Sequence, residues 1–420
     1  MARGEQCMAA EATLRTLRAE MEGELTGRIL PFWMENALDQ RHGGVVGVIA
    51  GDGERHEDAP KGAVLHARFL WTFSAAYREF GDPRYREVAD RAAVYFMSHF
   101  IDPVNGGVFW MIDADGKLLD TRKHVYAQAF AIYALSEHSR ATGDADSLEA
   151  AVALFRLVEA HAYDDEHGGY EEAFTAEWTL LADVRLSEQD ANERKSMNAH
   201  LHLLEAYTTL YTVWPDAQLR ARLEELIALF QDSIIGPTGT HVGGFFSADW
   251  KPLSSMTSFG HDIEASWLLV EASRAVNLGA FCERARQTSL RIASFVLAEG
   301  YDASHGGVYN ERAANGHLDT DKEWWPQAEA IVGFLAAYQE SGRIEFLDAA
   351  WGTWTFVKEY VRDERNGEWH RRVSSTGILR PAFEKVGPWK CPYHNARACL
   401  EVMSRVDAVL VRPSLSPAKT

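Results

Sequence analysis

A glycine-centred turn recurs six times along the 420-residue chain, and this recurrence restricts the fold more than any other feature. The turns read HGGVVG from His42, NGGVFW from Asn105, HGGYEE from His167, VGGFFS from Val242, HGGVYN from His305 and NGEWHR from Asn366. Their first glycines, Gly43, Gly106, Gly168, Gly243, Gly306 and Gly367, stand 63, 62, 75, 63 and 61 residues apart. A near-constant period of this length marks a repeated supersecondary unit that buries its apolar face by stacking on its neighbours. The longer third gap places an insertion between Tyr170 and His241.

Between the turns the pattern is helical and comes in two kinds. Residues 65–80, 125–136 and 201–213 are apolar on both faces, rich in Ala and Leu, and free of Pro. They read as helices buried on both sides. Residues 83–100, 216–234 and 344–361 are amphipathic and read as helices with one wet face. Pro83 after Gly81-Asp82 suits a helix start. Each period thus holds an inner helix, an outer helix and a turn. Residues 14–38 read as an outer helix with no inner one before it. Residues 393–409 read as an inner helix with no outer one after it. Ends that complete each other's pair imply a closed ring. The expected fold is all-α: an (α/α)6 barrel of about twelve helices with short strand-like Gly-rich turns. Residues 1–411 form one catalytic domain on this reading, and 412–420 a frayed tail.

Closure has a chemical consequence. Inner helices of a closed ring run parallel, so their N-terminal ends converge on one mouth. Those ends carry His66 and Arg68; His124, Tyr126 and Gln128; Asn198, His200 and His202; His261, Asp262 and Glu264; Trp324, Trp325, Gln327 and Glu329; and Trp389, Tyr393, His394, Asn395 and Arg397. Polar groups are common at single helix starts. Six such starts in register on apolar helices point to a shared cavity. Asn198 with His202, His261 with Glu264, and Trp325 with Glu329 each share a helix face. A Glu one turn beyond a His can fix its tautomer and hold it as a base.

Composition narrows the partner. Lys and Arg number 42 against 61 Asp and Glu, a net charge of −19, which disfavours nucleic acid and anionic lipid. No apolar run approaches the roughly 18 residues of a membrane span, and the N-terminus lacks the apolar core of a signal peptide. The four cysteines form no CxxC pair and read as reduced thiols of a cytoplasmic protein. There is no HExxH and no phosphate-binding glycine loop, so neither a metal nor a nucleotide cofactor is expected. A neutral small molecule is the natural substrate, and a monomer the expected state.

Three histidines, an arginine and several tryptophans fit one kind of reaction. Two neutral bases can move a proton off and onto a carbon next to a carbonyl. So weak a carbon acid needs its enediolate oxygen stabilised, and a permanently charged Arg can do this. Tryptophan faces hold a sugar by its C–H surface. The set fits aldose epimerisation or isomerisation.

The segments RKHVYAQAFAIYALSE from Arg122, SMNAHLHLLEAY from Ser196, SFGHDIEASWLL from Ser258, DKEWWPQAEAIVGF from Asp321 and WKCPYHNARACLE from Trp389 resemble cellobiose 2-epimerases of the N-acylglucosamine 2-epimerase superfamily. The resemblance runs from about Leu17 to Val406. It implies an (α/α)6 barrel that inverts C2 of the reducing-end sugar of β-1,4-linked disaccharides without metal or nucleotide. By the matching motifs, His261 and His394 would be the acid/base pair at C2, and His202 would carry a proton between the C1 and C2 oxygens. Arg68 would stabilise the enediolate and Glu264 would orient a histidine. Tyr126, Asn198, Trp325, Trp389 and Glu329 would bind the sugar, with His66 and His200 standing behind the site. Rival readings are a mannose isomerase or N-acylglucosamine 2-epimerase, an (α/α)6 glycoside hydrolase using Glu264 and Glu329, and a non-catalytic carbohydrate-binding protein.

Overall fold

The computed structural model describes residues 2–188, 190–380 and 383–411, so the expected tail at 412–420 lies outside the described residues. The inner helices are Ala63–Phe80, Val125–Thr142, Met197–Val213, Phe259–Val276, Trp324–Ser341 and Tyr393–Val411. Each packs on the next, and the sixth packs on the first, which closes the ring. The outer helices are Ala2–Glu24, which runs on through short π- and α-helical turns to Trp33–Ala37, then Pro83–His99, Ala145–His161, Ala217–Leu229, Gly279–Glu299 and Ile344–Phe356. The first outer helix lies against the sixth inner helix, so the two chain ends complete one pair.

Local chemistry sets these boundaries. In the first inner helix every residue from Ala63 to Ala76 is buried, as expected for a segment apolar all round. Gly81, Gly143 and Gly342 end inner helices in the left-handed conformation that favours glycine. Asp82 and Asp144 start outer helices by accepting from backbone N–H groups with their carboxylates.

The Gly-rich turns carry strands of two or three residues and no larger sheet among the described residues. Each pairs antiparallel with the segment leading into an inner helix. Lys123–His124 pairs with Ala173–Phe174, and Lys322–Glu323 with Arg372–Val373. Ile49 bridges to Val386, which joins the first and last repeats.

Five of the six turns share a buried ion pair that sequence reasoning did not single out. Asp39, Asp102, Asp164, Asp302 and Asp363 meet Lys61, Lys123, Lys195, Lys322 and Lys385 at 2.7, 2.8, 2.7, 2.9 and 2.7 Å. Burial alone would raise the Asp363 carboxyl, but Lys385 and two backbone donors outweigh it and hold the group at about 2.

The fourth turn is different, and the reading of VGGFFS as its centre is corrected. Val242 bridges to Ile235, as Val45 does to Leu38 in the first turn. The fourth turn therefore spans 236–241, and Gly243 and Gly244 follow it without adopting positive φ. Gly236 and Thr257 stand where other repeats have Asp and Lys.

Candidate active site

The polar residues at the inner-helix starts sort into two rings. One ring holds the turns. His66 Nε2 accepts from Val45 N at 3.1 Å and His200 Nε2 from Tyr170 N at 2.9 Å. Gln128 accepts from Val108 N at 2.7 Å and donates to Val108 O at 2.9 Å; Gln327 does the same with Val308 at 2.8 and 2.9 Å. Asp262 Oδ1 accepts from Val242 N at 2.7 Å. Asn395 reaches its turn through Glu368, to which it donates at 2.6 Å.

The second ring faces a cavity of about 490 Å³ at the mouth of the barrel. Arg68, Tyr126, Asn198, His202, His261, Glu264, Trp325, Trp389 and His394 all line it, so nine of the ten residues singled out from the sequence meet there. The tenth, Glu329, is 1% exposed and lies beneath the cavity. Leu186, Ser187, Glu188 and Asp190, from the insertion after the third turn, also line it, as do Glu323, Trp324 and Arg371.

Each cavity histidine is held by Nδ1. His394 Nδ1 meets Glu329 Oε1 at 2.7 Å, His202 Nδ1 meets Glu205 Oε2 at 3.1 Å, and His261 Nδ1 meets Ser258 Oγ at 2.9 Å. The Nε2 atoms of all three have no hydrogen-bond partner among the described residues. The face shared by His261 and Glu264 does not become a contact. Glu264 instead accepts from Arg397 Nη2 at 2.6 Å, and the carboxylates that orient histidines are Glu329 and Glu205. Glu205 stands three residues after His202, a spacing visible in the sequence.

Beneath the cavity Arg397 is the hub. It donates to Glu264 and Glu329 at 2.6 Å each, and also to Glu205 and the Tyr393 hydroxyl. Burial would raise the Glu205 carboxyl, but Arg397 and His202 bring it down to about 2. Burial and the neighbouring Glu329 push Glu264 up to about 7. Burial, with His202 adding to it, lowers His261 to about 3; burial with Arg68 and Arg397 lowers His394 well below its ordinary value. Both shifts favour the neutral imidazole.

Arg68 pairs with no carboxylate among the described residues. Its Nη2 donates to Tyr126 Oη at 2.8 Å, and its Cζ sits 4.2 Å from the Phe130 ring centroid and 4.9 Å from that of Tyr393. A desolvated, unpaired guanidinium at a cavity wall is a place for developing negative charge. Trp325 stands between His261 and His394, with ring centroids 4.7 and 5.6 Å away.

Glu264, Glu329 and His394 offer ligand atoms within 4.8 Å of one another, the only cluster of this kind among the described residues. The Arg397 guanidinium already bonds both carboxylates there, and Glu329 holds His394. A cation would have to displace that guanidinium, so the donor set does not fit a metal. The same geometry speaks against the hydrolase reading. Two carboxylates on one guanidinium nitrogen do not flank a glycosidic bond.

The family model of N-acylglucosamine 2-epimerase (GlcNAc 2-epimerase) matches residues 44–398. The chain belongs to this family. The cellobiose 2-epimerase of Bacteroides fragilis is 46% identical over 92% of this chain and 98% of its own. The structure of cellobiose 2-epimerase from Bacillus thermoamylovorans superposes with a TM-score of 0.89 at 39% identity, covering 93% of this chain and all of that one. Human N-acylglucosamine 2-epimerase is 26% identical over 96% of this chain and 94% of its own. A GH76 α-mannanase shares the toroid at a TM-score of 0.64 and 10% identity, a likeness of fold alone. Among the described residues no helix is long and apolar enough to cross a membrane.

Proposed function

We propose that the protein is a carbohydrate isomerase that inverts C2 of the reducing-end sugar of β-1,4-linked disaccharides, converting cellobiose to glucosyl-mannose and lactose to epilactose. The observation that carries the reading is the set of three imidazoles with free Nε2 atoms around an unpaired guanidinium. Similarity to cellobiose 2-epimerases at 38–46% identity supports the disaccharide as substrate.

In this mechanism the sugar ring opens, and one imidazole takes the C2 proton. A cis-enediolate forms, its charge facing Arg68. The imidazole on the other face returns a proton to C2. His261 and His394 fill these two roles, and His202 moves a proton between the C1 and C2 oxygens. Tyr126, Asn198, Trp325 and Trp389 position the sugar.

Proton balance adds a requirement. The imidazole that takes the C2 proton ends charged, so the one that gives a proton must begin charged. Burial and two guanidinium groups favour the neutral form of His394. Negative charge forming in the cavity offsets those cations, and Glu329 at Nδ1 then favours imidazolium. Ser258 offers His261 no such charge. A neutral sugar brings no charge of its own, so this proton is taken up only as the enediolate forms.

The test is incubation with cellobiose in heavy water, followed by NMR. Glucosyl-mannose carrying deuterium at C2 is expected, with or without prior EDTA treatment. Release of free glucose, or product without C2 deuterium, would end this reading.

A further inference from the structure

The three cavity imidazoles differ in what stands behind them. His394 and His202 lean on buried carboxylates that are already ringed by donors. Glu329 also accepts from Arg397 at 2.6 Å and from Trp267 at 3.2 Å, and Glu205 from Arg397 and the Tyr393 hydroxyl. His261 leans on Ser258 Oγ alone, at 2.9 Å. A carboxylate ion only accepts, whereas a hydroxyl both donates and accepts. Ser258 can therefore take a proton from Nδ1 or give one to it.

Ser258 also departs from its counterpart one repeat earlier. Ser196 and Ser258 both stand at the N-cap of an inner helix. Ser196 caps, accepting from Ala199 N at 3.1 Å. Ser258 makes no capping bond, and its hydroxyl meets the imidazole instead. A side cavity of about 110 Å³ adjoins the mouth here. Ser258 lines this cavity and not the mouth, while His261 lines both, so the imidazole belongs to the wall between them. The volume is several times the roughly 10–15 Å³ that one water needs, and Glu172 and Glu193 add polar wall. Ser258 and Glu193 are half-buried and Ala191, also in the wall, is exposed, so the space is not sealed from solvent.

We infer that Ser258 relays the proton of His261 to and from this side cavity, so that His261 works by exchanging tautomers and keeps no charge. As Nε2 takes the C2 proton, Nδ1–H passes to Ser258 Oγ, and the hydroxyl's own proton passes to solvent water in the cavity. The C2–H, Nδ1–H and old Oγ–H bonds break. Nε2–H, a new Oγ–H and an O–H of hydronium form, and the C2–H electron pair stays in the enediolate. The reverse steps deliver a proton to C2, drawn from water. Burial lowers His261 to about 3, which makes a retained imidazolium costly. The inference rests on the reaction proposed above, and the imidazole that must be charged before it gives its proton is then His394 alone. Ser258 acts through His261 and is a positioning residue, not one that touches the sugar.

Isotopes test the relay. Initial rates are read from C2-deuterated cellobiose and from C2-deuterated glucosyl-mannose, each in light and in heavy water. Deuterium at C2 slows its own removal, so that step limits the rate. The epimer whose C2 faces His261 should show a solvent isotope effect on kcat, because the relay protons move in the same step. Ser258→Ala should abolish that effect and lower kcat by about 10–10², less than loss of the imidazole itself. It removes no capping bond, and circular dichroism should match the parent. Ser258→Thr, which keeps the hydroxyl, should recover both the rate and the isotope effect. The relay is overturned if the parent shows no solvent effect with either sugar, if the effect survives in Ser258→Ala, or if Ser258→Thr loses as much as Ser258→Ala. A parent that epimerises neither sugar would end the proposed reaction itself, whereas an active parent matched by Ser258→Ala would end the relay alone.

Discussion

Of the six histidines near the starts of the inner helices, five divide between two different lives, while His124 Nε2 meets Arg185 O at 3.1 Å. His66 and His200 have both ring nitrogens engaged by backbone. Their Nδ1 atoms meet Gly62 O at 2.9 Å and Ser196 O at 2.7 Å, and their Nε2 atoms accept from turn amides. His202, His261 and His394 are anchored at Nδ1 alone and turn Nε2 to the cavity. Burial lowers His66, His200 and His261 alike to about 3, so the shifts do not separate the two groups. The free nitrogen does. An imidazole moves a proton only through a nitrogen that is not already spoken for.

The largest expected effect tests that distinction directly. His261→Asn and His394→Asn should each lower kcat by about 10²–10⁴, the usual loss of one general acid or base. His66→Gln and His200→Gln should keep kcat within about threefold, because Gln128 and Gln327 already do the same task in their repeats. Steady-state kinetics on cellobiose would break the comparison if a turn-holding variant lost activity as the cavity variants do.

Next comes the frame that holds the rings. Lys322→Met leaves the Asp302 carboxylate buried without its partner and should cost about 3–5 kcal/mol in urea unfolding. The double variant Lys322→Thr with Asp302→Gly copies the fourth repeat and should cost less than the single one. Equal costs would mean that the ion pair matters as packing rather than as charge.

Within the cavity ring, proton transfer and sugar holding should separate. Trp389→Ala is expected to raise KM by about tenfold with kcat little changed, since stacking is felt by substrate and transition state alike. A fall in kcat matching that of His394→Asn would assign Trp389 to positioning of the reacting atoms.

The smallest effect concerns Asp262, the one acid among the direct turn holders. Burial raises its carboxyl well above 3.8. The neutral form is therefore the one the fold prefers, and its contribution is complete below pH 3.8 and lost as pH rises above it. Asp262→Asn stays neutral throughout. Its melting temperature should gain on the parent as pH rises from about 5 to 8, by on the order of 2 °C. A difference independent of pH would place the ionised form in the native state.

Much of this molecule was legible before any coordinates. The period of the turns and the two kinds of helix follow from local rules, because burial on both faces or on one leaves its mark along the chain itself. So does the gathering of polar residues at one end of the inner helices, since closure makes those ends converge. The i,i+3 and i,i+4 spacings gave the face on which His202 or Glu329 stands. They could not give the partner. Glu329 meets His394 from 65 residues away, and Glu205 meets Tyr393 from 188 away. Those contacts depend on which helices the closed ring sets opposite each other. The fourth turn carries the same lesson. Gly243-Gly244 matches the other turns in letters, yet the bridge between Ile235 and Val242 places the turn before it. Backbone pairing between repeats set that register, and only the assembled ring fixes such pairing.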